Sequence, residues 1–365
     1  MIDRILATYH LAGPTTDIAT RAEALAAEQS VEMPVAAILD PSVKENVLAR
    51  VATIEATPDG HRVTLALAAS TTGSEPSQLA NMLFGNCSLQ PDVTLEAVAF
   101  PEGYANAFAK PAFGIEGLRA AVGAATRALT CTALKPQGST IDHLAKLAGE
   151  FARAGIDVIK DDHGLANQAF SPFDKRVPQI QAAIEAANRE TGGRTLYAPT
   201  FSGGSRALER QIQVARDCGV GAALVAPMLV GLPALQELRQ ALGVPILAHP
   251  ALGGASRIAP AVLYGQLFRL CGADAIIFPN HGGRFSYSRE TCLAIATAAR
   301  APWLGVAPAI PVPAGGMSVE RVPEMLNDFG NDVMLLIGGN LLAAGEALPA
   351  RAREFVAAVH GGGRS

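Results

Sequence analysis

The chain has 365 residues, 49% of them hydrophobic, and its 29 basic and 33 acidic side chains give a formal net charge of −4. This length allows two ordinary domains, or one large α/β barrel with an added module. A protein that binds nucleic acid by neutralising phosphates normally carries a basic excess, so the composition disfavours this class, and we expect no nucleic-acid partner.

The cysteine pattern and the apolar segments predict the compartment. The five cysteines are widely spaced and form no Cys-x-x-Cys pair, which is typical of reduced thiols inside a cell. The first residues, MIDRILATYHLAG, lack the charged start and apolar core of a secretion signal. The most apolar stretch, residues 219–235, is interrupted by Gly and Pro and is too short to span a bilayer. We therefore expect a cytoplasmic protein without a membrane partner.

The first part of the chain predicts a small α+β domain. Apolar and β-branched runs predict strands at Ile5–Tyr9 and Arg62–Ala68, and apolar residues at helical spacing predict helices at Thr16–Gln29 and Glu75–Phe84. The Pro- and Gly-rich residues 101–114 are typical of a linker. We expect an N-terminal domain of residues 1–110 and a second domain of residues 111–365.

In the second domain, short apolar runs alternate with amphipathic stretches. The predicted strands are Ala128–Leu134, Asp157–Lys160, Thr195–Pro199, Ala222–Ala226, Pro245–Ala248, Ala275–Phe278, Gly305–Ile310 and Val333–Ile337. The predicted helices include Ile141–Ala154, Val177–Glu190, Ser205–Cys218 and Val319–Phe329, with Thr140 and Ser318 as N-caps. Eight consecutive strand–helix units favour a C-terminal (β/α)8 TIM barrel over a doubly wound sheet.

The end of the second barrel strand is the first candidate site, because active sites in this fold lie at the carboxyl ends of the strands. The chain there reads Lys160-Asp161-Asp162-His163, and side-chain alternation places Lys160 and Asp162 on one face. Charges at the end of an apolar strand are costly unless something compensates them, and Mg²⁺ bound by Asp162 would do so. Reaction with CO₂ would turn Lys160 into a carbamate, which carries a carboxylate-like charge. A surface Lys–Asp ion pair remains the alternative.

Polar residues also follow strands 1, 5 and 6. Lys135 precedes a Pro-Gly turn, where a lysine can act as a base or a Schiff-base nucleophile, or simply be solvated. His249 follows strand 5 and is either catalytic or a satisfied core residue. After strand 6, a loop with two glycines carries His281 and Arg284, and we interpret it as a mobile loop that brings a cation to the site.

Glycine pairs follow the last two predicted strands. Gly315-Gly316 comes after strand 7 and Gly338-Gly339 after strand 8, and each pair leads into a helix. Glycines let backbone N–H groups approach an anion, and a helix start adds a favourable dipole. Phosphate sites of (β/α)8 barrels are commonly built from these two loops, so the pattern predicts a phosphate site.

These motifs, in this order, resemble ribulose-bisphosphate carboxylase/oxygenase (RuBisCO) large chains, and more closely the RuBisCO-like proteins. The segments TALKPQG and GIDVIKDDHGLANQAFSPFDKRV resemble the family's Lys-Pro-Lys turn, its Phe-Lys-Asp-Asp-Glu motif and the Asn-x-Gln-x-Phe that follows. In the small domain, the Ala-Glu-Gln-Ser at 27–30 and the Gly-Asn at 85–86 are similar to the family's Ala-Glu-Ser-Ser and Gly-Asn.

The resemblance implies a role for each matching residue. Lys160 matches the carbamylated lysine, Asp162 a ligand of the one Mg²⁺ of each site, and Lys135 the lysine that handles protons during enolisation. His249 matches the first histidine of a His-Arg motif, and the four glycines 315, 316, 338 and 339 match the phosphate grip. Glu28 and Asn86 match residues that complete the neighbouring subunit's site, which implies a homodimer with shared active sites.

Several positions depart from the family pattern. His163 stands where the family has a third metal ligand, a glutamate, and imidazole binds Mg²⁺ less well than oxygen does. Arg284 falls near the mobile-loop lysine that stabilises the carboxylated intermediate. The second-phosphate contacts are also replaced, and each charged hydrogen bond lost costs about 1.5–3 kcal/mol. The other replacements are Gln137 for a lysine, Pro250 for an arginine, Ala314 for a serine, and Phe278 near a histidine.

We therefore expect a Mg²⁺-dependent enzyme that does not fix CO₂. It would stabilise an enediolate on a phosphorylated keto-sugar or keto-sugar acid, as an isomerase or tautomerase or as a decarboxylase. The alternatives are a Schiff-base sugar-phosphate aldolase that uses Lys135 or Lys160, and a non-catalytic sugar-phosphate sensor.

Overall fold

The computed structural model describes residues 3–14 and 16–361. The chain divides into two compact units, Met1–Phe108 with Leu252–Leu263, and Ala109–Ala251 with Tyr264–Ser365. The sequence predicted one domain boundary, between residues 110 and 111, and therefore did not assign Leu252–Leu263 to the first unit. That segment is held by backbone pairing, because Leu95 N donates to Arg257 O over 2.9 Å and Ala259 N donates to Leu95 O over 2.8 Å.

The first unit contains a four-stranded antiparallel sheet. Its strands and helices are β1 (Arg4–Ala12), α1 (Ile18–Glu28), α2 (Pro41–Asn46), β2 (Arg50–Thr57), β3 (Gly60–Ala68), α3 (Pro76–Phe84) and β4 (Val93–Ala99), and the strand order is β2-β3-β1-β4. Alternate residues of β1, from Ile5 to Leu11, are buried, as a half-buried strand requires. The sequence predicted the elements at β1, β3, α1 and α3 but missed β2 and β4. Most side chains of β2 are exposed at the sheet edge, so its apolar signal is weak.

The second unit is a (β/α)8 barrel built from parallel strands. They are β5 (Leu129–Leu134), β6 (Val158–Asp161), β7 (Leu196–Ala198), β8 (Thr200–Phe201), β9 (Ala223–Val225), β10 (Ile246–Ala248), β11 (Ala275–Pro279), β12 (Ile310–Ala314) and β13 (Met334–Leu336). The orders are β13-β5-β6-β7 and β8-β9-β10-β11-β12, and Pro199 alone separates β7 from β8. The pair β7–β8 therefore serves as the third of eight barrel strands. Apolar side chains from these strands, such as Val158, Leu224 and Val312, form the core.

The helices of the second unit connect the strands. They are α4 (Gly114–Val122), α5 (Ile141–Arg153), α6 (Phe173–Thr191), α7 (Ser205–Cys218), α8 (Pro227–Val230), α9 (Leu232–Leu242), α10 (Arg289–Arg300), α11 (Val322–Phe329), α12 (Gly339–Leu342) and α13 (Leu348–Gly361). A π-helix, Ala261–Phe268, crosses the boundary between the two units. Thr140 caps α5 as predicted, because its Oγ1 accepts from His143 N over 3.2 Å.

Two predictions for the second unit were wrong in detail. Ser318 makes no side-chain capping bond; it precedes a 3₁₀ turn, and α11 begins only at Val322. The strand predicted at Gly305–Ile310 lies at Ile310–Ala314. Pro311 and Pro313 have no backbone N–H to donate to a neighbouring strand, so they are unusual in a sheet and the sequence did not predict a strand here. In the structure they pair with Ile276 and Phe278 of β11.

Two further observations concern the helices and the cysteines. In the stretches 3–14 and 16–361, no helix combines the length and apolarity that a bilayer crossing needs. The five cysteines carry free thiols.

Candidate active site

Strand β6 presents Lys160 on the face that also carries the core residue Val158. The Lys160 side chain is buried, and its Nζ donates to Asp161 O over 3.0 Å. Burial lowers the pKa of Lys160 and the positive charge of Lys135 lowers it further, although the negative charge of Asp162 opposes both. A lowered pKa favours the neutral amine, which is the form that reacts with CO₂ or with a carbonyl.

Asp161 points the other way and fixes the end of the strand. Its carboxylate accepts from Arg176 Nη2 over 3.1 Å, from Tyr197 Oη over 2.8 Å and from Thr200 N over 3.0 Å. Arg176 and Asp161 are both fully buried, and the remaining guanidinium hydrogens reach carbonyls that include Ser171 O at 2.6 Å and Ala166 O at 2.9 Å. The hydrogen-bonding groups of the buried Asp161–Arg176 pair are thus already engaged within the protein. We therefore interpret the pair as holding the end of the strand in place, not as taking part in the reaction.

Asp162 joins the ends of the first two barrel strands. Lys135 Nζ donates to Asp162 Oδ2 over 2.7 Å, and His163 Nδ1 lies 3.1 Å from Asp162 Oδ1. Burial raises the pKa of Asp162, but the hydrogen bonds from His163 and Lys135 and the charges of Lys135 and Lys160 outweigh it and hold the pKa well below its usual range. Asp162 pairs with Lys135, and the charge of Lys160 also lowers its pKa, so the three side chains form one charge cluster at the carboxyl ends of β5 and β6.

His249 stacks on His163. The ring centroids are 4.2 Å apart and the planes differ by 11°. His249 Nδ1 accepts from Ala251 N over 3.1 Å, so the proton of the neutral ring is on Nε2. Burial, followed by the charge of Lys160, lowers the pKa of His249 to about 2. The histidine is therefore neutral and offers a donor at the site.

The residues at this strand end fit a divalent cation. The Asp162 carboxylate is ionised and pairs with the Lys135 ammonium, a single contact that a divalent cation bound to Asp162 would replace. A carbamate on Lys160 would add oxygen donors, which Mg²⁺ prefers, and His163 would add a nitrogen, which softer metals prefer.

The glycine pairs lie at the carboxyl ends of β12 and β13. Gly315 and Gly316 adopt φ angles of +88° and +98°, which favour glycine, and Gly315 O accepts from Arg284 N over 2.8 Å. A Cβ on Gly338 would lie 4.0 Å from Lys135 Cε, so the second pair borders the charge cluster. The first N–H groups of α12, which begins at Gly339, have no intrahelical acceptor and can face an anion.

In the first unit, Glu28 and Asn86 are in contact. Asn86 Nδ2 donates to Glu28 Oε1 over 2.8 Å and to Glu32 Oε1 over 2.9 Å. The structure thus brings together the two residues that the resemblance assigned to the partner's site.

Comparisons with known proteins identify the family. The family model described as ribulose bisphosphate carboxylase large chain, catalytic domain, matches residues 114–352. The chain belongs to the RuBisCO large-chain family. It is 50% identical to "Ribulose bisphosphate carboxylase-like protein 1" of Rhodopseudomonas palustris over 98% of each chain. It is also 50% identical to "5-methylthioribulose-1-phosphate isomerase" of Rhodospirillum rubrum, over 99% of this chain and 97% of the relative.

Comparison with solved structures leads to the same family. The RuBisCO-like protein from Rhodopseudomonas palustris superposes with a TM-score of 0.93 at 48% identity, with both chains fully covered. The RuBisCO-like protein MtnW from Alicyclobacillus acidocaldarius gives a TM-score of 0.88 at 30% identity, over 98% of this chain and 93% of that one. The chain is therefore a RuBisCO-like member of the family, in its non-carboxylating branch.

Sequence reasoning about this RuBisCO-like chain missed some contacts and misplaced one residue. Phe278 packs on Phe329 of α11, with ring centroids 6.0 Å apart, so it faces the helix layer and not the barrel mouth. The Asp161–Arg176 pair was not predicted, although buried charges in the segment DKRV were a possible signal. The partner of His281, which is Asp328 at 2.9 Å, carries no sequence signal because it is 47 positions away.

Proposed function

We propose that the chain is an isomerase of a 5-thio-substituted ketopentose 1-phosphate, with 5-methylthioribulose 1-phosphate as the first candidate substrate. The observation that carries the reaction class is the contact of Lys135 Nζ with Asp162 Oδ2, at 2.7 Å, beside buried Lys160 and Gly338. This contact supports the reaction class, because it would combine a proton-transfer group, an ionised carboxylate and a phosphate-type loop within one site. The relative named as an isomerase of this substrate, at 50% identity, supports the substrate choice.

In this proposal the chain's own residues divide the work. Lys135, after its ammonium has released a proton to solvent, or alternatively the carbamate of Lys160, takes a proton from the carbon next to the substrate carbonyl, and an enediolate forms. A proton returned to the other carbon of that pair moves the carbonyl. His249 donates a hydrogen bond from Nε2, and the glycines at 315, 316, 338 and 339 hold the phosphate with their N–H groups, aided by Arg284.

Lys160 as a carbamate, Asp162 and His163 would hold one Mg²⁺ per site. When bound, the ion supplies positive charge that stabilises the negative oxygens of the enediolate. His163 leaves the site with one negative charge fewer than a glutamate would. Together with Pro250 and Ala314, whose side chains offer no donor to a second phosphate, this supports a reaction other than CO₂ fixation.

We also propose that the enzyme is a cytoplasmic homodimer with shared sites. Glu28 and Asn86, which already contact each other over 2.8 Å, would complete the active site of a second copy of the chain. A monomer that retains full activity would contradict this part of the proposal.

The decisive experiment is conversion of 5-methylthioribulose 1-phosphate in D₂O with Mg²⁺ and bicarbonate, followed by NMR. We expect a rearranged ketose phosphate that carries solvent deuterium on carbon. Several relatives at 29–35% identity are named 2,3-diketo-5-methylthiopentyl-1-phosphate enolase, so that diketone is the second substrate to test.

Other outcomes identify the rival functions. CO₂ release from a phosphorylated keto acid would indicate a decarboxylase. A borohydride-trapped adduct with activity that survives EDTA would indicate a Schiff-base aldolase, and binding without turnover would indicate a sensor. Any of these, without isomerisation, overturns the proposal.

A further inference from the structure

The loop between β11 and α10, residues His281–Ser288, carries Arg284 and is fastened at both ends. At its start, His281 Nε2 lies 2.9 Å from Asp328 Oδ2. Just after its end, Arg289 Nη2 donates to Asp328 Oδ1 over 2.6 Å and its Nε donates to the same atom over 3.1 Å. One carboxylate on α11 therefore uses both oxygens to hold the two ends of the loop together.

Asp328 is built into the fold for this contact. Its side chain is 3% exposed, although Arg289 is 57% exposed and His281 is 15% exposed. The hydrogen bond from Arg289 lowers the pKa of Asp328, so the carboxylate stays charged at neutral pH even though burial opposes this. A buried, charged acceptor with two donors loses much more when a partner is removed than an exposed pair does.

The same residues are a poor metal site. His281, Glu324 and Asp328 lie close enough to share a cation. However, Arg321 Nη2 already pairs with Glu324 Oε1 at 2.8 Å, and Arg289 pairs with Asp328 at 2.6 Å. A divalent ion would have to displace two guanidinium groups, so the cluster is an ion-pair network within this part of the barrel.

The middle of the loop is packed onto the glycine pair after β12. Arg284 N donates to Gly315 O over 2.8 Å, and a Cβ on Gly316 would come within 2.9 Å of Arg284 Cγ. A Cβ on Gly283 would meet Gly315 O at 2.2 Å, so only glycine allows this approach. Arg321, the residue just before α11, also donates from Nη1 to His281 O over 3.0 Å and so holds the backbone at the start of the loop.

We propose that Asp328 is a positioning residue that holds Arg284 beside Gly315 and Gly316 before substrate binds. The identity of the anion that Arg284 would contact rests on the proposed function, whereas the ordering of the loop by Asp328 does not. On this proposal, the loop that the sequence suggested to be mobile is preorganised by a carboxylate 44 positions beyond Arg284.

Preorganisation has a measurable effect on substrate binding. If the loop occupies the observed position only a tenth of the time, the apparent affinity for a ligand that needs Arg284 falls about tenfold. The chemical step is unchanged once the substrate is bound. Loss of Asp328 should therefore raise KM about tenfold and change kcat less than about twofold.

The first test needs no substrate. Trypsin cleaves after arginine, and although Arg284 and Phe285 are exposed, the bond between them fits the protease only when the flanking residues of the loop unfold from the barrel. We expect fragments ending at Arg284 to appear at least about tenfold faster in Asp328→Ala than in the wild type, by mass spectrometry. Asp328→Asn, which keeps an acceptor and loses the charge, should fall between the two and serves if the alanine variant does not fold.

The matched control is Asp332→Ala. Asp332 Oδ1 also pairs with an arginine, Arg119, over 2.7 Å, but it contacts no residue of the loop. We expect its cleavage at Arg284 to match that of the wild type. Equal cleavage in wild type, Asp328→Ala and Asp328→Asn would overturn the proposal, even if the isomerase activity is correct.

The second test uses the substrate identified above. Arg284→Ala and Asp328→Ala should each raise KM, and the double variant should resemble Arg284→Ala alone, because Asp328 acts through Arg284. Additive effects on KM, or a loss confined to kcat, would contradict a positioning role. If no candidate substrate turns over, the proposed function fails while the cleavage result still decides the role of Asp328.

Discussion

The two ends of strand β6 carry aspartates in opposite surroundings. At its start, Asp157 accepts two hydrogen bonds from Arg127, over 2.6 and 2.7 Å, and two from the backbone and hydroxyl of Thr130, over 2.8 and 3.0 Å. Past its end, Asp162 has only the amine of Lys135 and the ring of His163. The first aspartate is fully satisfied, whereas the second has acceptor capacity left for a ligand.

Asp157 therefore serves stability and Asp162 is available for chemistry, although the two lie within a span of six residues. Active sites of (β/α)8 barrels lie at the carboxyl ends of the strands, while the opposite end serves stability. Substitutions at the mouth should therefore change turnover and leave folding intact, and substitutions at the opposite end should do the reverse. Four predictions test the two halves of this statement.

The largest expected effect is that of Lys160→Ala. Removing the amine removes the carbamate, so activity should fall by about a thousandfold or more, and the boost that bicarbonate gives to the wild type should vanish. Alanine also removes the buried methylene stem of Lys160 and leaves a cavity, which lowers the melting temperature without unfolding the protein at the assay temperature. Assays of kcat/KM with and without bicarbonate, and a melting curve, test this. Unchanged turnover would remove the carbamate from the mechanism.

The opposite result is expected for Asp157→Ala. The variant leaves the half-buried Arg127 and the Thr130 N–H without their acceptor, so the free energy of unfolding should fall by about 2–3 kcal/mol. The melting temperature should fall by roughly 5–10 °C, with kcat at 25 °C unchanged. Calorimetry and a rate assay on the same sample measure both. A large loss of kcat in folded protein would break the contrast between the ends.

A smaller effect is expected for Gly339→Asp at the phosphate-type loop. A Cβ there meets no atom within 4 Å, so the variant should fold normally. Its charge should repel a substrate phosphate and raise KM about tenfold, which corresponds to about 1.4 kcal/mol. Gly339→Asn, which has nearly the same shape and no charge, is the control and should keep the KM of the wild type. Equal KM values for the two variants would show that the phosphate binds at another loop.

The smallest effect is a pH dependence of stability. Burial raises the pKa of Asp157, but the hydrogen bonds and the charge of Arg127, together with the His360 ring 3.7 Å away, outweigh it, so the folded pKa lies below the ordinary value of 3.8. The stabilisation is thus fully present above 3.8 and is lost as the pH falls through the folded pKa. The stability gap between wild type and Asp157→Asn should be constant from pH 7 to about 5 and shrink only below that. If the stability difference between the two proteins shrank between pH 7 and 5, the pKa of Asp157 would not be lowered in the folded state.

Strand periodicity explains which parts of this architecture the sequence could predict. The barrel strands are short apolar runs with charged ends, and alternation alone placed Lys160 and Asp162 together. The strand β12 was misplaced because its prolines imitate a loop. The stacking of His163 on His249, and the hold of Asp328 on its loop, depend on residues that only the folded barrel brings together, so no local pattern could reveal them.

The anchoring of Asp161 has a consequence for how such a barrel can change over time. Because Arg176, Tyr197 and Thr200 fix the backbone at this point, the neighbouring positions 160 and 162 do not have to hold the strand in place. Side chains on that face can be exchanged without rebuilding the scaffold. A new reaction can then arise by a few replacements at the rim, while the inherited framework beneath them stays the same.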